Sequence, residues 1–190
     1  MTSEHLKDNR RHNIVTASQA WAAVYERQKL WREKTFRAEP FAGNQMTEYG
    51  NLHEPIALAA FEEEMNEICE SGNQLVVHPD RPLGASPDGY ITVNGERSVV
   101  EIKCPFTQKI YPEIPERYWF QVQVQLFTCG LKSAWFYVWT PFETHKEKVF
   151  YDEEFMDWYL PKVEEFIQFV NDDVEPPRYS RKPKYTKEII

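Results

Sequence analysis

Cysteine is sparse: Cys69, Cys104 and Cys129 are the only three in the chain. They are far apart, no pair has the spacing of a zinc ribbon, and an odd number does not build a disulfide framework. The expectation is reduced, mostly buried thiols in a cytoplasmic protein. Long apolar runs are missing too. Nothing approaches the ~18 residues of a membrane span, and the opening stretch from Met1 to Asp8 lacks the apolar core of a secretion leader. There are no internal repeats and no Gly/Ser linkers, so the 190 residues read as a single domain over 1–171 with a mobile tail at 172–190. An excess of basic charge is also absent. The net charge is −8, which does not advertise nucleic-acid binding.

What is present begins with 42% hydrophobic and 15% aromatic residues, enough to fill a core. The charge is unevenly placed. Residues 1–37 hold eight Lys/Arg against four Asp/Glu, a local +4 that leaves −12 for the remainder. An acidic protein still binds DNA if its cations line one channel. Lys29, Arg32, Lys34 and Arg37 either track phosphates in this way or form a solvated helix face.

The periodicity predicts a helix over 18–33 with Ser18 as its N-cap. A second helix is expected from about Thr47 to Ser71, stopped by Gly72, with Leu58, Phe61, Met65 and Ile68 at helical spacing. Glu54 lies one turn before Leu58 on the core-facing side, where a carboxylate requires a partner, a proton or a metal. A short strand is expected over 75–78. Residues 115–129 alternate like a strand around Gln121 and Gln123, but Trp119, Val122, Leu126 and Cys129 follow helical spacing between Pro115 and Gly130, so a helix is predicted. Strands over 134–140 and 149–151 and a helix over 153–171 complete an α/β chain with a mixed central sheet flanked by helices.

The most informative stretch runs from Ser86 to Lys103. Asn94-Gly95 between two β-type runs signals a two-residue hairpin. That turn sets Val93 opposite Glu96, Asp88 opposite Glu101 and Ser86 opposite Lys103. Side chains alternate along strands, so Asp88, Glu101 and Lys103 share a face. Opposed Cβ atoms lie roughly 4.5–5.5 Å apart, and two carboxylates so close repel unless a cation joins them. A metal site beside a lysine follows. Acidic-x-Lys triplets are common, with roughly two expected by chance in such a chain, so position in the hairpin is what marks Glu101-Ile102-Lys103. Asp80 offers a second Pro-Asp, but its register does not oppose Glu101.

Pro87-Asp88 followed by Glu101-Ile102-Lys103 resembles the PD-(D/E)xK nuclease signature. The wider context is similar to the lambda exonuclease, or YqaJ-type viral recombinase, family. The segments that carry this likeness are Arg11 to Ser18, Gly50 to Glu54, Gly84 to Tyr90, Glu101 to Phe106 and Tyr118 to Gln123, in family order. The resemblance implies a restriction-endonuclease-like core and a Mg²⁺-dependent exonuclease (Mn²⁺ as a substitute) that degrades one strand of duplex DNA from its 5′ end. It implies Asp88, Glu101 and the Ile102 carbonyl as metal ligands. Glu54 would act on the metals directly or through water, and Lys103 on the attacking water and the developing phosphorane charge. It also implies a 5′-phosphate pocket from Arg11, Ser18, Ser86 and Gln121, with Gln123 as an alternative. A homotrimeric ring, a single-strand annealing partner and a phage or prophage gene expressed in a bacterial cytoplasm are further implications. Hard oxygen ligands suit Mg²⁺, and arginine suits phosphate. His53 beside Glu54, a lone histidine, reads as structural. Two rivals are an endonuclease on the same core and a DNA-end binding module without catalysis. A cluster-containing nuclease of the superfamily needs four cysteines.

Overall fold

A computed structural model of the chain describes residues 11–39, 42–179 and 183–185. The opening residues read for a leader, and the end of the tail, lie outside these. The elements in chain order are β1 (Val15–Thr16), a 3₁₀ turn (Ala17–Gln19), α1 (Ala20–Tyr25), α2 (Arg27–Lys34), α3 (Gln45–Met65), β2 (Glu70–Ser71), β3 (Val76–Val77), β4 (Leu83–Ala85), β5 (Gly89–Val93), β6 (Glu96–Lys103), α4 (Glu116–Cys129), β7 (Ser133–Trp139), β8 (Thr144–Phe150) and α5 (Glu153–Asn171).

Five strands form the main sheet in the order β2-β5-β6-β7-β8, and β1-β4-β3 form a small second sheet. The main sheet is mixed: β6 and β7 are parallel, and the other neighbours are antiparallel. Parallel neighbours need a crossover, and α4 supplies it. Alternation along β6 divides the core. Val100 and Ile102 pack with Ala57 and Phe61 of α3 on one face. Val99 packs with Val122 and Leu126 of α4 on the other. Beyond α4, α1, α2 and α5 close a third apolar cluster with β1 and β4. Among the described residues no helix is long and apolar enough to cross a membrane.

The hairpin forms in the expected register, with Val93 opposite Glu96 and Gly89 opposite Val100. Its turn residues Asn94 and Gly95 both take positive φ, 53° and 83°, as a type I′ turn requires. The predicted α4 and α5 are found, α4 between Pro115 and Gly130 and α5 capped by Asp152, whose side chain accepts from Phe155 N.

Other expectations need correction. The first helix is broken at Glu26 (φ −125°, ψ 37°), and Ser18 lies inside the 3₁₀ turn rather than capping a helix. The break turns Arg27, Leu30, Trp31 and Lys34 inward. Arg27 is buried, bonded to Glu165 at 2.8 Å, with its guanidinium over the Phe169 and Tyr179 rings. The second helix ends six residues before Gly72, at Asn66 in the left-handed conformation. There Asn66 N donates to Glu63 O and Glu67 N to Glu62 O, a Schellman ending that asparagine tolerates. Gly72 has a different task. A Cβ there would lie 2.3 Å from Pro87 O and 2.8 Å from Gly89 N, so only glycine lets this backbone pass against the Asp88 turn. The strand expected at 149–151 is β8, which starts at Thr144; it is an edge strand whose charged, exposed residues carry no apolar alternation. Past α5 the chain returns over α2. Asp173 binds Arg37 through two bonds, Glu175 binds Arg32 at 2.6 Å, and Tyr185 lies against Trp119, Phe155 and Trp158.

Candidate active site

The ends of β5 and β6 carry the acidic centre. The β5 ladder stops at Gly89, and Asp88 takes over with its side chain: Oδ2 accepts from Ile102 N at 2.6 Å, while Asp88 N donates to Val100 O at 3.2 Å. The carboxylate thus replaces the next backbone acceptor of the hairpin, which fixes it beside Glu101. Glu101 is buried at 2% exposure and points to the α4 side with Val99. Its Oε1 accepts from Lys103 Nζ and from Gln121 Nε2, the latter at 2.6 Å, and its Oε2 accepts from Gln125 Nε2 at 2.5 Å. The Lys103 ammonium also lies 4.8 Å from the centre of the Tyr118 ring.

Electrostatics tie Glu54, on α3, to this group. Burial and then the charge of Glu101 raise the Glu54 carboxyl above its usual range. The same two causes, in the same order, hold Asp88 well above it. Burial alone would lower the Lys103 ammonium, but the charges of Glu101 and Asp88 outweigh it and push its pKa up. Both carboxylates therefore favour the protonated form of Lys103. Cys104 is pushed up to about 12, by burial and then by Glu54 and Asp88, so it remains a thiol. Acids raised by burial and then by mutual repulsion mark a place where added positive charge is favourable.

A second group forms where β1 lies parallel to β4, with Val15 opposite Leu83 and Thr16 opposite Gly84. This pairing brings Arg11 to Ser86, whose Oγ accepts from Arg11 Nη2 at 3.3 Å. Ser18 is exposed just past β1, its hydroxyl 3.3 Å from that of Thr16. Ser86 sits two residues before Asp88 and so joins the two groups. Lys34 anchors the second one. It is buried and donates to Arg11 O at 3.0 Å and Ile14 O at 2.6 Å. Burial, and after it the Arg11 charge, lowers its pKa to about 8. The cations of α2 and of the turn after it do not form one open face: Lys34 is internal, and Arg32 and Arg37 are paired with the returning chain.

The structure thus gathers Asp88, Glu101, Ile102 and Lys103 at one place, with the Glu54 carboxyl feeling their charges, and pairs Arg11 with Ser86 two residues before Asp88; Ser18 bonds Thr16 instead. Gln121, expected at the phosphate pocket, bonds Glu101. Gln123 is not brought to either group: it is fully buried, with Nε2 on Phe150 O and Oε1 on Asp152 N. Two residues advance a helix by about 200°, so Gln121 and Gln123 face opposite ways. Gln125 is the residue sequence reasoning missed, although its i,i+4 spacing from Gln121 places it on the same helix face. His53 lies among rings, stacked on Tyr49 and Trp139, with Nδ1 2.8 Å from Tyr49 O.

Comparison with known proteins bears on the family and the fold. Residues 6–132 match the YqaJ-like viral recombinase domain. A crystal structure of LHK-Exo in complex with dAMP superposes with a TM-score of 0.71 at 25% identity, covering 87% of this chain and 91% of that one. An alkaline exonuclease (LHK-Exo) from Laribacter hongkongensis gives 0.71 at 24% identity, with the same coverage. A phage-related exonuclease from Haemophilus somnus 129PT gives 0.63 at 13% identity, covering 84% and 92%, a likeness of fold. No curated protein sequence matches the chain significantly.

Proposed function

Because the chain belongs to the YqaJ-like viral recombinase family, and its fold is the restriction-endonuclease-like fold of the alkaline exonucleases it resembles, we propose that it is a Mg²⁺-dependent 5′→3′ exonuclease acting on double-stranded DNA ends. The observation that carries this reading is the Arg11–Ser86 bond, which sets a guanidinium, a group suited to phosphate, against the residue two before Asp88. A strand whose 5′-phosphate rests there presents its next phosphodiester to Asp88, Glu101 and Lys103. Each cut regenerates a 5′-phosphate for the same pocket, which gives the reaction its direction. The dAMP in a relative of this fold is the size of one released nucleotide.

Asp88, Glu101 and the Ile102 carbonyl would hold the metal, and their hard oxygens fit Mg²⁺. Among the described residues no three of His, Cys, Asp and Glu are grouped as a metal cage, so the proposed ligands are two carboxylates and one backbone carbonyl. Bound there, Mg²⁺ supplies Lewis-acid stabilisation of the phosphate under attack. The chain's own groups do the rest. Lys103 keeps its proton and faces the negative charge that builds on the phosphoryl oxygens. Glu54, raised by its surroundings, is poised to take a proton from the attacking water. Gln121 and Gln125 fix the Glu101 carboxylate.

We extend the proposal to a homotrimeric ring that hands 3′ overhangs to a single-strand annealing protein during phage or prophage recombination in a bacterial cytoplasm. The reading is tested with linear duplex and closed circular DNA, with and without Mg²⁺. Mononucleotides released from linear DNA alone, and only with the metal, support it. No metal-dependent release, or equal attack on circles, contradicts it. Mass in solution tests the trimer.

A further inference from the structure

At the end of α2 the chain reverses through a Schellman turn, with Phe36 N donating to Glu33 O at 3.3 Å and Arg37 N to Arg32 O at 2.7 Å. The turn places Phe36 at φ 57°, where glycine is the usual occupant. Among the described residues the other non-glycine positions with positive φ are Asn66, Asn94, Gln108 and Asp173, and three of these are of the Asn/Asp type that enters this region most readily. A phenylalanine here carries backbone strain, and burial does not offset it, because Phe36 is 83% exposed. Strain held at an exposed aromatic points to function. The ring is stacked on His12, 5.6 Å between centroids and 4° from parallel, which leaves its other face to solvent. His12 follows Arg11, whose guanidinium reaches Ser86. Arg11 Nε and His12 Nδ1 are buried without hydrogen-bond partners among the described residues.

We propose that Phe36, backed by His12, is a stacking platform for the nucleobase of the 5′-terminal nucleotide whose phosphate rests at Arg11 and Ser86. The inference depends on the end-directed exonuclease reading and assigns that site a second, aromatic contact. Stacking suits an enzyme that must accept every base in turn, because each base offers a π-face whatever its hydrogen-bonding edge.

The test uses two 5′-phosphorylated duplexes, one with an ordinary terminal nucleotide and one with an abasic terminal residue, with binding measured by anisotropy in EDTA so that nothing is cut. Wild type should bind the ordinary end about tenfold more tightly. Phe36→Gly should melt no lower than wild type, since it relieves the turn, and should bind both ends alike. Phe36→Trp should restore the preference. Equal affinity of wild type for the two ends, a preference kept by Phe36→Gly, or a lower melting temperature for Phe36→Gly overturns the platform. Digestion by wild type separates the two levels. An enzyme that degrades linear ends but ignores the missing base refutes the platform alone, and one that degrades nothing refutes both.

Discussion

Replacing Gln125 by leucine probes how the buried acid is held. Gln125 is fully buried and donates to Glu101 Oε2 at 2.5 Å. Leucine of similar size removes that donor and leaves one oxygen of a buried carboxylate unpaired. A hydrogen bond to a charged group contributes about 1.5–3 kcal/mol. Part of this is regained, because Gln125 Oε1 is itself buried without a partner and the substitution removes it. A net loss of about 2 kcal/mol is expected. If the same energy is lost in the transition state, turnover falls about 30-fold. Gln123→Leu is the matched control. It lies on the same helix, is equally buried, and bonds Phe150 O and Asp152 N at 2.9 and 2.8 Å, away from Glu101. It should destabilise by a similar amount yet leave kcat per folded molecule near wild type. Chemical denaturation gives the stabilities, and single-turnover release from a labelled linear duplex gives the rates. Gln125→Leu cutting at the wild-type rate, or Gln123→Leu losing turnover equally, would refute the reasoning.

Lys103→Ala should reduce cutting by 10²-fold or more while binding to 5′-phosphorylated ends survives; normal turnover would remove Lys103 from the mechanism. Gly72→Ala should cost about 1–3 kcal/mol and slow the reaction, since its methyl would press on Pro87 O and Gly89 N next to Asp88; wild-type melting and turnover together would argue against this contact. Lys34 gives a pH signature. Its folded pKa of about 8 lies below the ordinary 10.5, so the protonated form is penalised in the fold. That penalty, about 3 kcal/mol, is full below pH 8 and fades as pH rises to 10.5. Wild type should therefore gain stability relative to Lys34→Met across that window, and a constant difference between pH 7 and 10.5 would contradict it.

Much of this was legible in local chemistry. Asn94-Gly95 fixed the register that sets Asp88 beside Glu101, and Pro115 and Gly130 bounded α4. The misses share a cause, in that distant contacts override local signals. Two cations, Arg27 and Lys34, occupy the inward face of α2, so hydropathy does not show where the first helix breaks. Gly72 resembles a helix stop, and its need is visible only once Pro87 lies against it. The family likeness offered Gln123 as an alternative to Gln121, whereas the helix pairs Gln121 with Gln125. Phe36 is invisible to pattern reading, because nothing in the sequence reports a left-handed turn beneath an aromatic ring.

The central claim, end-directed 5′→3′ hydrolysis, is tested most directly on a blunt duplex carrying a 5′-phosphate on one strand, with both strands labelled internally. The account predicts that with Mg²⁺ the phosphorylated strand shortens from its 5′ end into mononucleotides while its complement stays long as a 3′ overhang. Loss from 3′ ends, or equal loss from both strands regardless of the phosphate, would contradict it.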